Sequence, residues 1–178
     1  MAYDVYENPL CARYSGEGMK KLFSAETKFS YWRKLWVALA ESEKQLGLDI
    51  TDEQIAEMKA HVYDIDFDKA KDYEHKLRHD VMAHIRTYGD ACPKAKGIIH
   101  LGATSCFVGD NTDIIIMREG LRLVKKLLVS CISAVSDFAE KYKSTPTLAY
   151  THFQAAQPTT LGKRATLWIN DLLSDLEV

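Results

Sequence analysis

Residues 112–142 read TDIIIMREGLRLVKKLLVSCISAVSDFAEKY, and this stretch decides the fold. It contains no proline and a single glycine, Gly120, and its apolar side chains recur at steps of three and four residues. That period is typical of one face of a helix. A helix over these residues is about 45 Å long, at ~1.5 Å per residue. A periodic stretch of this length predicts a helical bundle or a coiled coil.

The residues upstream of the long stretch predict three shorter helices. The first begins after Ser24, a typical N-cap, and stops at Gly47. Residues 51–54, Thr-Asp-Glu-Gln, have the pattern of a capping box and open the second helix. The third helix is expected to run without a break to about Gly89, because one apolar stripe continues along it: Ala70, Tyr73, Leu77, Val81 and Ile85.

The residues that follow the long stretch predict one more helix. Pro146 ends the long helix, and a new apolar period begins at Leu161. This period continues to Val178 without a helix-stop signal, so we expect the chain to be the N-terminal part of a longer protein. No segment alternates with a period of two, and no strand is predicted. The fold class is therefore all-α.

Residues 91–110 are punctuated by glycines and a proline and predict a loop, where a domain boundary is expected. Residues 1–110 are expected to form an N-terminal helical domain. Residues 111–178 are expected to form the beginning of a central helical-bundle domain, which they leave incomplete. Tryptophans on the helical stripes are expected in the core: Trp32, Trp36 and Trp168.

The composition narrows the class of protein. The 178 residues are 47% hydrophobic and 27% charged, with a formal net charge of −2. This balance argues against a dedicated nucleic-acid or membrane-surface binder, and no apolar run approaches the ~20 residues of a membrane span. The four cysteines are Cys11, Cys92, Cys106 and Cys131. Their spacings match no zinc motif, so no metal is predicted. They suit the reduced thiols of a cytoplasmic protein.

Two segments place hydroxyls or a histidine just before a predicted helix. Residues 102–111 include Thr104 and Ser105, which form either an anion cradle or an ordinary N-cap and turn. Residues 151–160 surround His152 with threonine and glutamine side chains. That histidine is either structural or held in one tautomer for proton transfer.

Two further clusters carry charge. Arg78, His79 and Asp80 place a cation, an imidazole and a carboxylate together. His75 and His79 have the spacing of a helical metal pair, but no third ligand is evident, so a solvated or hydrogen-bonded pair is favoured over a metal site. Arg13, next to Tyr14, is suited to clamp a phosphate, although exposed arginines of no special role are commoner.

Four segments together resemble a known family. They resemble the fumarase/aspartase superfamily and, within it, the adenylosuccinate lyases of the animal type. In order along the chain, the segments are residues 8–14, 77–84, 98–105 and 151–163. The resemblance implies a homotetramer around a central helical bundle, with each active site assembled from three subunits. It also implies elimination of fumarate from adenylosuccinate, which yields AMP, and from the succinylated aminoimidazole carboxamide ribotide of purine biosynthesis. The implied partner is thus a small-molecule nucleotide, with no cofactor, nucleic acid or membrane.

The same resemblance implies roles for particular residues. His152 matches the general acid that protonates the leaving nitrogen. The positions that match the nucleotide site are Arg13 and Tyr14. Those that match a substrate-binding turn are Arg78, His79 and Asp80. Those that match the succinyl site are Thr104 and Ser105. Arginine, histidine and hydroxyl donors suit a substrate with a phosphate and two carboxylates. Breaking the C–N bond needs an acid at nitrogen and a base at the β-carbon.

The base implied by the resemblance is absent from these residues. In this family it is a serine on a mobile loop with a Ser-Ser-x-Met-Pro-x-Lys-x-Asn-Pro-like motif, and residues 1–178 contain no such string. We therefore expect no measurable lyase activity from these residues alone. Two alternatives stay open: another lyase of the superfamily, such as one acting on argininosuccinate, and a non-catalytic truncated helical subunit.

Overall fold

Seven α-helices and one pair of strands make up most of the chain that the structure, a computed structural model, describes, which is residues 8–177. The described residues are 70% helical, which confirms the all-α class. A π-helical turn, Leu10–Tyr14, precedes the first helix. The helices are α1 Glu17–Leu22, α2 Ala25–Gln45, α3 Asp52–Ala60, α4 Phe67–Leu77, α5 Asp80–Ala91, α6 Ser105–Lys141 and α7 Leu161–Glu177, and the strands are β1 Pro146–Thr151 and β2 Gln154–Thr160.

The chain divides into two compact units, and the division falls within α6, between Glu119 and Gly120. The N-terminal unit contains α1 to α5 and the first part of α6. The C-terminal unit contains the rest of α6, both strands and α7. A boundary between an N-terminal domain and a bundle domain at residues 110 and 111 stays a prediction. Among the helices of residues 8–177, none is long and apolar enough to cross a membrane.

Three helix ends predicted from local patterns are confirmed. Ser24 caps α2, since its hydroxyl accepts a hydrogen bond from the Thr27 N–H at 3.2 Å. Thr51 and Gln54 form a complete capping box at the start of α3. Gly47, just beyond α2, has a φ of 94°, a left-handed conformation that favours glycine.

Two tryptophans of α2 lie at the centre of the N-terminal core, as predicted. Trp32 and Trp36 are 2% and 1% exposed, and their rings meet edge to face at 6.2 Å. Trp36 also stacks against Tyr88 of α5 at 6.0 Å. The prediction for Trp168 is wrong, because this side chain of α7 is 56% exposed. Its stripe is helical, but a stripe is buried only where another element packs against it.

A buried cation ties α2 to the end of α3. Arg33 is 1% exposed, and its Nη1 donates to the carbonyl oxygens of His61 and Asp64. Its guanidinium lies 4.4 Å from the centre of the Tyr88 ring. Burial lowers the pKa of Arg33. The two carbonyls thus receive charge-assisted donors in place of water, which fixes the connection after α3.

The expected third helix is two helices, so the prediction of one unbroken helix is wrong. α4 ends at Leu77, and Arg78 takes a left-handed conformation with φ 54° and ψ 34°. The Arg78 N–H still donates to the Glu74 carbonyl at 2.8 Å. His79 then caps α5. The apolar stripe continues across the break because α4 packs against α5, and periodicity alone does not show the turn.

The long helix begins seven residues earlier than residue 112, at Ser105. Residues 105–111 are therefore helical and form no loop. Val108 is completely buried, whereas Asn111 is exposed and its side-chain amide donates to the Phe107 carbonyl at 2.7 Å. The sequence of this first part of the helix has no clear apolar period, because only a few of its positions face the core and the others are small or polar.

A β-hairpin occupies residues where no strand was predicted. β1 and β2 pair antiparallel, with Pro146 opposite Thr160 and Thr151 opposite Gln154. The register shifts between Leu148 and Tyr150. Neither strand has a strongly apolar face, so the period-two signal is weak, and the ladder of backbone hydrogen bonds defines the hairpin.

A buried histidine makes the stability of the N-terminal unit depend on pH. His84 stacks on Phe29 at 3.7 Å and is 5% exposed. Burial lowers its pKa to about 4, and the positive charge of Arg33 acts in the same direction, against Asp80. Between pH 6.5 and 4 the unfolded chain therefore binds a proton at His84 that the folded chain does not, so stability falls as pH falls.

We expect this proton to cost about 3 kcal/mol of unfolding free energy between pH 7 and 4. Urea unfolding at several pH values measures the loss. His84→Phe keeps the aromatic stack and removes the titration, so its stability should fall much less over this range. Exposed His75→Gln is the control and should follow the parent chain. An unchanged pH dependence in His84→Phe would contradict the assignment.

Candidate active site

The turn between α4 and α5 carries three of the predicted site residues. Arg78, His79 and Asp80 are all exposed. The left-handed backbone at Arg78 reverses the chain so that His79 can cap α5, where its Nδ1 accepts from the Met82 N–H at 3.4 Å. The Asp80 carboxylate accepts from the N–H of Val81 at 2.7 Å. Side-chain capping thus sets the geometry of this turn.

The start of α6 meets this turn. The Ser105 hydroxyl lies 3.2 Å from Nε2 of His79. Because Nδ1 of His79 accepts a backbone hydrogen bond, the neutral ring carries its proton on Nε2. This N–H donates a hydrogen bond to the Ser105 hydroxyl. Thr104, next to Ser105, is exposed. The structure therefore brings together a predicted substrate-binding turn and a predicted hydroxyl pair that are far apart in sequence.

The loop before α6 has two left-handed residues. His100 has a φ of 65° and Gly102 a φ of 63°. Nδ1 of His100 accepts a hydrogen bond from Nε1 of Trp36 at 2.9 Å. Burial lowers the pKa of His100, and the nearby His79 lowers it further. His100 thus forms one cluster of polar side chains with His79 and Ser105.

A carboxylate of α2 lies beneath the same loop. Oε1 of Glu43 is 3.5 Å from the position that a Cβ atom would take at Gly102. Its other oxygen, Oε2, is buried and receives no hydrogen bond from the described residues. Burial raises the pKa of Glu43. A buried carboxylate oxygen that receives no hydrogen bond is unfavourable for folding.

His152 lies at the tip of the hairpin in the C-terminal unit. His152 and Phe153 form the two-residue turn between β1 and β2, with φ of 49° and 61°. Both side chains are exposed, and Phe153 is completely so. Within residues 8–177 no hydrogen bond to the His152 ring is found, so its predicted threonine and glutamine partners are not engaged. The commonest two-residue hairpin turn needs a positive φ at both residues, and histidine and phenylalanine adopt this conformation less readily than glycine.

The first pair of predicted site residues lies in the N-terminal unit, before α1. Arg13 and Tyr14 end the π-helical turn, whose last turn closes through the Ser15 N–H and the Leu10 carbonyl at 2.8 Å. Both side chains are exposed, Tyr14 by 76%. No described contact joins them to His79 or Ser105.

The break after α4 separates the two histidines whose spacing matches a helical metal pair. His75 is on α4, whereas His79 caps α5, so the two do not share a helix face. The part of the chain from residue 8 to 177 contains no group of three or more potential ligands suited to a metal ion.

Sequence reasoning missed Trp36, Glu43 and His100 as members of the cluster. His100 was detectable in principle, because it is the one polar side chain in the apolar stretch of residues 97–102. Trp36 and Glu43 follow the pattern of an ordinary amphipathic helix. Their proximity to the loop is a property of packing between residues that are 59 to 64 positions apart.

Nearly the whole chain is similar to known proteins. A model of a lyase family matches residues 14–178. The chain is 53% identical over 177 residues to adenylosuccinate lyase of Saccharomyces cerevisiae and 54% identical over 177 residues to that of Schizosaccharomyces pombe. Each alignment covers 98% of this chain and 37% of the yeast protein. The chain thus spans little more than a third of the length of these relatives.

Solved structures share the fold at lower identity. Fumarate lyase from Mesorhizobium sp. BNC1 has a TM-score of 0.83 at 23% identity, with 97% of this chain and 40% of that chain covered. The 3-carboxy-cis,cis-muconate lactonizing enzyme from Pseudomonas putida has a TM-score of 0.84 at 23% identity, with 96% and 40% covered. At this identity the likeness establishes the fold alone.

Proposed function

Because this chain belongs to the lyase family whose model matches residues 14–178, we propose that it carries part of the active site of an adenylosuccinate lyase. The observation that carries the proposal is the identity of 53% and 54% to two adenylosuccinate lyases over 98% of the chain. The reaction is a β-elimination that releases fumarate from adenylosuccinate and leaves AMP. The succinylated aminoimidazole carboxamide ribotide, which has the same succinyl-amine linkage, is the second substrate.

The geometry of the N-terminal unit supports a role in anion binding. Arg78 presents its guanidinium donors at an exposed turn, and Ser105, which lies 3.2 Å from the His79 imidazole, adds a hydroxyl. Thr104 lies beside Ser105 at the start of α6, where helix N–H groups have no intrahelical partner. Donors of this kind suit the carboxylates of a succinyl group. We assign Asp80 to the same turn, as the acceptor that orders its backbone.

The remaining roles rest on the family resemblance together with exposure. We propose that His152 is the general acid at the leaving nitrogen, because it is presented at a hairpin tip with nothing covering it in the described chain. Arg13 and Tyr14, also exposed, are proposed to bind the nucleotide. The general base is a loop serine outside these 178 residues. The full-length protein is proposed to be a cytoplasmic homotetramer whose subunits share each site.

The test is fumarate release by the full-length protein that contains this chain. Adenylosuccinate should be cleaved and argininosuccinate should not, and residues 1–178 alone should cleave neither. Cleavage of argininosuccinate alone would replace the proposal with the other lyase. If the full-length protein cleaves neither substrate, the non-catalytic alternative is favoured.

Arg13→Ala in the full-length protein should raise KM for adenylosuccinate about tenfold to a hundredfold, with a smaller change in kcat. A charge-assisted hydrogen bond contributes about 1.5–3 kcal/mol, and it is made to the substrate before and during the reaction alike. Steady-state kinetics measures both constants. Arg86→Ala, which removes an exposed arginine of α5, is the control and should leave KM unchanged. A loss confined to kcat would assign Arg13 a different role.

A further inference from the structure

One side chain of the hydrophobic core makes a hydrogen bond to the candidate site. Trp36 is 1% exposed, yet its Nε1–H donates to Nδ1 of His100 at 2.9 Å. The two rings are perpendicular, with centroids 5.9 Å apart. His100 is held in a left-handed conformation two residues before Gly102, which is also left-handed. A rigid core residue therefore anchors a strained loop.

This hydrogen bond determines where the proton of His100 lies. A ring nitrogen that accepts a hydrogen bond carries no proton, so the neutral imidazole must hold its proton on Nε2. A second proton on Nδ1 would set its N–H against the indole N–H of Trp36. Since Trp36 is fixed in the core, the indole cannot turn away to relieve this contact. The geometry thus opposes the charged form of His100.

The surroundings of His100 act in the same direction. Partial burial lowers its pKa, and the imidazole of His79, at the start of α5, is close enough to lower it further. Glu43 is the other titratable group at this loop, beside Gly102, and burial raises its pKa, which favours its neutral form. Glu43 is not among the groups that shift the pKa of His100.

We propose that Trp36 is a positioning residue of the candidate site, which holds His100 neutral with its proton on Nε2 and so fixes the loop that leads to Ser105. The Nε2–H of neutral His100 is then an uncharged hydrogen-bond donor. The neighbouring His79 makes its own hydrogen bond with Ser105. The consequence for substrate depends on the proposed lyase function. The arrangement of Trp36 and His100 does not, and can be measured without any activity.

The direct measurement is NMR spectroscopy of the 15N-labelled chain. We expect a scalar coupling across the hydrogen bond between Nε1 of Trp36 and Nδ1 of His100, and a 15N shift of an unprotonated Nδ1. In Trp36→Phe the donor is lost, so His100 should bind a proton about fivefold to tenfold more tightly, the equivalent of one net hydrogen bond. A titration of the histidine 15N shifts measures this change.

Trp32→Phe is a matched control. Trp32 is 2% exposed in the same core, and its indole nitrogen has no hydrogen-bond partner among the described residues. It should lose similar packing without changing the titration of His100. An equal change in both variants would overturn the proposal. If Trp36→Phe does not fold, the wild-type spectrum decides, because a protonated Nδ1 or an absent coupling in the folded chain also overturns it.

The link to function is tested separately in the full-length protein. Trp36→Phe should lower kcat/KM for adenylosuccinate by more than Trp32→Phe, when both are compared at equal folded concentration. Equal losses would limit Trp36 to a structural role. An inactive parent protein would remove the proposed function, but the NMR result would still decide whether Trp36 sets the protonation of His100.

Discussion

Replacing Gly162 with alanine is expected to unfold the C-terminal unit. A Cβ atom at Gly162, in the first turn of α7, would lie 2.3 Å from the carbonyl oxygen of Ala139 and 2.6 Å from Cα of Lys143. Both are backbone atoms, one in the last turn of α6 and one just beyond it, and the Gly162 N–H also donates to the Tyr142 carbonyl at 3.0 Å. Relief requires the two helices to separate, at a cost of about 3 kcal/mol or more.

Hydrogen exchange of the α7 amides, together with urea unfolding followed by circular dichroism, measures this effect. Gly109→Ala is the matched control, because Gly109 is also helical and its Cβ would meet nothing within 4 Å. That variant should gain stability, by about 0.5–1 kcal/mol, since alanine favours helix more than glycine does. Wild-type protection of α7 in Gly162→Ala would show that α6 and α7 do not meet closely at this point.

Replacing His152 with glutamine is expected to lower kcat of the full-length protein about 10²- to 10⁴-fold, with little change in KM. The proposed role is to give a proton to the leaving nitrogen, which matters in the transition state and not in substrate binding. Glutamine keeps the polarity of the side chain but has no proton to transfer at this step. Steady-state fumarate release measures the loss.

His75→Gln, at an exposed histidine outside the candidate site, should keep normal turnover. Mixed tetramers give a second check. Subunits with His152→Gln, assembled with subunits altered at the loop serine, should regain part of the activity if each site draws on different subunits. Near-normal turnover of His152→Gln alone would remove the acid from this residue. Recovery that fails in verified mixed tetramers would contradict the shared site.

Much of the helical part of the fold was predictable because its signals are local. The N-cap at Ser24, the capping box at Thr51 and the start of α7 at Leu161 depend on residues within one or two turns. A helix also repeats its apolar face every three to four residues, so a long stretch such as residues 112–142 carries the same signal many times. The hairpin lacked this redundancy, since its short strands have little apolar contrast.

The candidate site was predictable as a set of residue types, through the resemblance, but not as an arrangement. The left-handed conformation of Arg78 cannot be read from its neighbours, because a single apolar stripe passes across it. The contact between His79 and Ser105 joins residues 26 positions apart. Its geometry depends on where α5 and α6 begin, which is set by the packing of both helices on the core.

The sequence by itself therefore determined the all-α class and most of the helix ends, and through the resemblance it predicted the site residues. Only the tertiary structure decided which of them meet, and it added Trp36 and His100, 64 positions apart, to the cluster. The physical reason is one of range. Helix formation is governed by hydrogen bonds and side chains three or four residues apart. A site is formed by side chains from separate elements, whose positions follow from how the whole core is packed.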